Sequence, residues 1–97
     1  MPGDLAAWLR GEIGWWLDYG QKNRARRPIT PMRSHEMQLM VARCEAELAI
    51  LDLYEEQSAK AGENAMEEDR TWTLGRAVRL LGSGYRSRPG YREEWKP

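Results

Sequence analysis

Apolar residues recur at helical intervals in three parts of this chain, and no stretch alternates with the period of two that marks a strand. Leu5, Trp8, Leu9, Ile13, Trp16 and Leu17 predict a helix over about residues 4–22, with Asp4 placed to accept bonds from its first free amides. Trp15 and Trp16 are sequence neighbours, about 100° apart around a helix axis, so one narrow seam cannot take both. This helix is therefore expected to meet two neighbours, or one neighbour and a partner. Gly11, Gly14 and Gly20 each weaken it by up to about 1 kcal/mol relative to alanine. Packing has to offset that loss, or the glycines admit another backbone closely.

Ser34 is expected to cap a longer helix over about 34–60, in which Met37, Val41, Cys44, Leu48 and Leu51 fall at intervals of four, three, four and three. Leu39, Ala42, Ala46, Ile50 and Leu53 form a second apolar face on the same helix. A solvated surface helix needs only one such face, so this element is the predicted centre of the fold. A third helix is predicted over about 71–82, with Trp72, Leu74, Ala77, Val78 and Leu81 turned inward and Gly82 as its stop. Between these lie a basic linker, 21–33, and an acidic loop, 58–70, and behind them a tail, 83–97. The expectation is an all-α fold: one small three-helix domain over 1–97, with a long central helix and a C-terminal aromatic tail packed back on it.

Two readings of the tail stay open: a structural clasp, or a docking peptide held out for a partner. Tyr91 and Trp95 are four residues apart, so one helical turn after Pro89-Gly90 would put both rings on one side while Arg92, Glu93 and Lys96 face water. That geometry favours the clasp.

Composition sharpens the point. Leu, Ile and Val total only 15 of 97 residues and there is no Phe, a level that would imply disorder if the net charge were high, but it is zero. Five Trp, four Tyr and five Met stand in for the missing aliphatics. A buried aromatic ring removes about 150–250 Å² from water, so a few large anchors can hold a small domain. A single cysteine, Cys44, excludes an internal disulfide, suits a reducing compartment and reads as a small apolar core residue. With no apolar run near the roughly 18 residues that span a bilayer, and no basic-then-apolar N-terminal leader, the expected location is the cytoplasm, away from membranes.

Catalytic and metal chemistry find little footing. His35-Glu36 opens HEMQL, but Leu39 stands where a zinc helix of the HExxH type needs its second histidine. His35 and Cys44 are nine positions apart, roughly 13 Å along a straight helix, too far for a nucleophile and its base. No metal, cofactor or enzymatic activity is expected.

The opening DLAAWLR, the central HEMQLMVARCEAELAILDLYE and the closing AVRLLGSGYRSRPGYREEWKP resemble a family of small uncharacterised proteins from actinobacteria and their phages, a domain of unknown function. Members typically close on a Leu-Leu pair, a short spacer and a Tyr-Arg-Glu-Glu-Trp-Arg-Pro motif, matched here by Tyr91, Arg92, Glu93, Glu94, Trp95, Lys96 and Pro97. Many carry a longer insert between helices, sometimes with cysteine pairs, which this chain lacks. The resemblance implies a setting and a helical fold, but no activity.

Charge is organised in three blocks: five basic residues from Lys22 to Arg33, nine acids against Lys60 from Glu45 to Asp69, and six arginines from Arg70 to Arg92. Blocks of this kind usually attract one another within a fold. The leading functional expectation is a non-enzymatic protein-interaction module that docks on a protein partner or forms a homo-oligomer, a dimer above all, with Trp15, Trp16, Tyr85, Tyr91 and Trp95 as candidate contacts. The alternative is nucleic-acid binding through Lys22, Arg24, Arg26, Arg27, Arg33, Arg76 and Arg79. Against it stand the zero net charge and an acidic block that would repel a phosphate backbone.

Overall fold

A computed structural model describes the backbone of residues 2–24 and 31–97 and the side chains of 4–22 and 35–97. It contains helix α1 (Pro2–Arg24), helix α2 (Pro31–Ser58), helix α3 (Ala65–Ser83) and a single 3-10 turn, Glu93–Trp95. Among the described residues there is no strand. The protein is a small all-α domain built around its longest helix, α2, at 28 residues.

The described helices reach further than the periodicity predicted, and the differences have local causes. Ser34 does not cap α2, which begins at Pro31. Proline suits a first helical position, because the N–H it lacks would have no partner there and its φ is already helical. Helices thus occupy both ends of the expected linker, and residues 25–30 lie outside the described ones. The acidic segment expected as a loop over 58–70 is helical from Ala65 onward. Asn64, in extended conformation, accepts a hydrogen bond from the Glu67 backbone N–H at 2.9 Å and satisfies one free amide of the first turn. The Gln57 side-chain amide then donates to the Glu67 carboxylate at 2.6 Å and carbonyl at 3.2 Å, and the Thr71 hydroxyl lies 3.1 Å from the Gln57 carbonyl. Polar bonds to the end of α2 hold this first turn where large apolar residues are missing.

α1 and α2 run antiparallel, with Arg10 reaching Asp52 and Glu55 at one end and Gly20 against Val41 at the other. A Cβ on Gly20 would stand 2.9 Å from the Val41 side chain, so this glycine answers for the close approach of the two helices. α3 is antiparallel to α2 in turn, with Glu67 beside Gln57 and Tyr85 beside Glu47. Leu5, Leu9 and Ile13 of α1, Cys44, Leu51 and Tyr54 of α2, and Val78 of α3 meet in the core. Trp72 and Ala77, expected inward, are exposed. Trp72 precedes Val78 by six residues, which places it about 120° away from that buried position around the axis.

The body is elongated, 53 × 25 × 17 Å, with a radius of gyration of 15.7 Å. A compact domain of this length has about 13 Å. Behind α3 the tail turns back. The Tyr85 hydroxyl donates to both oxygens of Glu47, at 2.9 and 3.2 Å, and Arg88 pairs with Glu12 of α1 at 3.0 Å. Gly90, at φ +94°, turns the chain against Trp8, and the 3-10 turn drops Trp95 into the core, 3% exposed. The Trp95 ring lies 5.4 Å from Trp8 and 5.8 Å from Tyr91. Arg92, Glu93 and Lys96 face water.

Candidate functional site

Three surfaces carry side chains that the fold itself does not use up. The first is the outer face of α2. Helical spacing puts Leu39, Ala42, Ala46, Ile50 and Leu53 roughly opposite the buried Val41, Cys44, Leu51 and Tyr54, and no other described element covers them. Leu39 is 57% exposed, Leu53 56% and Ile50 36%. Arg43 and Glu36 border this strip on one side, and Glu45, Asp52 and Glu56 on the other.

The second surface is an aromatic ledge on α1. Trp15 is exposed and Trp16 half-buried, so the two rings part as neighbouring helical positions must. They still touch, edge to face at 4.7 Å, and Trp15 stacks on Tyr19 at 5.6 Å with the planes 8° apart. Arg88 reaches over both indoles, 6.0 Å from Trp15 and 5.5 Å from Trp16, while its guanidinium is held by Glu12.

The third is a groove of about 300 Å³ where α3 meets α2 and the tail, lined by Tyr54, Trp72, Gly75, Arg76, Arg79 and Pro97 among others. Trp72 is 65% exposed, with the Arg76 guanidinium 5.1 Å above its ring.

These surfaces divide the residues that the sequence singled out. Trp15 and Trp16 share the ledge, whereas Tyr85, Tyr91 and Trp95 are engaged inside the fold: Tyr85 is bonded to Glu47, and Tyr91 and Trp95 are packed with Trp8. Burial and the bond to Glu47 push the Tyr85 phenol well above its ordinary range. Burial chiefly, helped by nearby Glu47, also raises the Cys44 thiol. Of the basic residues, Lys22 pairs with Asp18 at 2.9 Å, and Arg76 and Arg79 sit in the groove. The side chains of Arg24, Arg26, Arg27 and Arg33 lie outside the described residues. Among the described residues no group of three or more His, Cys, Asp or Glu could hold a metal ion, and no helix is long and apolar enough to cross a membrane.

A family match extends from Trp16 in the aromatic ledge to Pro97 at the rim of the groove, and so takes in α2, α3 and the clasping tail. The chain belongs to DUF6221, a family of unknown function. The DUF6221 match covers residues 16–97 and leaves out the first turns of α1. No curated protein and no solved structure matches the chain.

Sequence reasoning ties self-association to the two apolar faces of the central helix and to the split Trp15 and Trp16, without naming the residues of the outer strip as contacts. Trp72, predicted to face inward with Leu74, Ala77, Val78 and Leu81, is turned outward by its place around the axis.

Proposed function

We propose that this chain is a non-enzymatic interaction module that associates with a second copy of itself through the outer face of α2. The uncovered strip from Leu39 to Leu53 carries this reading. Its apolar side chains are symmetric about Ala46: Leu39 and Leu53 each stand seven residues away, Ala42 and Ile50 four. Two copies of α2 laid antiparallel about a two-fold axis at Ala46 would set each Leu39 against the second copy's Leu53 and each Ala42 against its Ile50. An isologous interface asks for that self-complementarity, and the small central alanine lets the helices approach.

Sedimentation equilibrium at micromolar concentration is expected to show a dimer. Leu39→Glu with Leu53→Glu should convert it to a monomer of unchanged helical content, since both side chains are exposed and their replacement opens no cavity. A wild-type chain that remains monomeric up to its solubility limit would transfer the strip to a different protein partner. The resemblance noted above supports an actinobacterial or phage setting, and the single cysteine supports a reducing, cytoplasmic location.

A second reading, nucleic-acid binding, draws on Arg76 and Arg79, which have no acidic partner among the described residues. Its signature is affinity that falls steeply with salt.

A further inference from the structure

The arginine block of the sequence is used unevenly. Arg70, Arg88 and Arg92 each pair with a carboxylate, to Glu67, Glu12 and Glu94. Arg76 and Arg79, one helical turn apart on α3, have no acidic partner among the described residues, and both line the groove beside Trp72. No acidic side chain is among the residues that line that groove. Tyr54 of α2 also lines it.

Gly75 supplies a second, independent indication. It lies buried in the interior of α3, where glycine costs about 1 kcal/mol relative to alanine. A Cβ there would meet nothing nearer than the Tyr54 ring at 3.7 Å, an ordinary contact, and the backbone has no positive φ. Packing within the fold therefore does not require the glycine. The missing methyl instead leaves room in the groove, which Gly75 lines.

We infer that this groove binds a small anion joined to a planar ring, of mononucleotide size, with Arg76 and Arg79 on the anion and the Trp72 indole against the ring. Its volume of about 300 Å³ is at the small end of the range for ligand sites. Two guanidinium forks a turn apart suit a phosphate monoester better than a carboxylate, because the monoester offers three oxygens and can engage both forks. Indole faces stack on any base, and the Trp72 indole is 65% exposed. This site is on α3, apart from the strip on α2, so its fate does not depend on self-association.

The test is isothermal titration calorimetry on the full chain at low salt, with AMP and CMP as ring-plus-phosphate probes, adenosine as ring alone and inorganic phosphate as anion alone. Saturable binding of both monophosphates is expected, with adenosine and inorganic phosphate each weaker by about tenfold or more. Arg76→Ala with Arg79→Ala should abolish it without changing the thermal midpoint. Gly75→Ala should weaken binding by a similar factor while raising the midpoint, a combination that simple damage to the fold would not produce. The inference is overturned if neither monophosphate saturates, if adenosine or inorganic phosphate binds as well as AMP, or if Gly75→Ala binds as the wild type does.

Discussion

The seam between the helices and the clasp made by the tail bury their side chains in different ways. In the seam, Leu5, Leu9, Ile13, Leu51 and Val78 have no measurable exposure and bring no polar atom with them. The clasp uses rings, and each ring carries a polar atom inward: the Tyr91 hydroxyl and the Trp95 indole N–H are buried without a hydrogen-bond partner among the described residues. Each such orphan costs about 1–3 kcal/mol. A chain with 15 Leu, Ile and Val residues closes its core with rings because it has few branched side chains to spare, and the clasp returns less stability than its area promises. Area alone would rank the two regions wrongly.

The strongest way to break the comparison is Trp95→Ala. Removing the 3%-exposed indole should cost about 3–5 kcal/mol, a fall of more than about 10 °C in thermal midpoint by scanning calorimetry. If the protein melts unchanged, the tail does not hold the core and the docking-peptide reading of YREEWKP gains. Gly90→Ala comes next. It forces a side chain to φ +94° and sets a Cβ 2.7 Å from the Trp8 indole nitrogen, so it should lose about 1–3 kcal/mol in denaturant unfolding without altering any helix. The smallest effect has the opposite sign. Tyr91→Phe keeps the ring and deletes the orphaned hydroxyl, so urea unfolding should show it equal to the wild type or more stable, by up to about 1 kcal/mol. A clear loss would mean that the hydroxyl is satisfied in solution.

How much of this was legible depended on which force set each element. Leu5, Leu9 and Ile13, and Val41, Cys44 and Leu51, announce their helices because burial alone decides them, and burial leaves a period in the sequence. The clasp could be anticipated from the four-residue step between Tyr91 and Trp95. The start of α3 was missed because polar bonds set it: Asn64 capping Glu67, and Gln57 and Thr71 tying it to α2. An Asn followed three residues later by Glu is a capping pattern, and it was there to be read. The outward turn of Trp72 and the room left by Gly75 depend on where α2 and the tail sit, which periodicity along one helix does not encode. Of the candidate contacts, Trp15 and Trp16 lie on a divided surface, as neighbouring helical positions must, while Tyr85, Tyr91 and Trp95 are engaged in the fold's own interior.

The ion pair between Arg88 and Glu12 joins positions 76 residues apart. The two helical hairpins, α1 with α2 and α2 with α3, form from contacts much nearer along the chain, and such local contacts form early. Closing the tail onto α1 requires the ends of a long loop to meet, so it belongs late in folding, after the helices have docked. An interaction absent from the transition state leaves the folding rate alone and sets how fast the native state comes apart. By that logic the aromatic clasp is chiefly a brake on unfolding: the two helical hairpins govern how quickly the domain is made, and Trp95 governs how long it lasts.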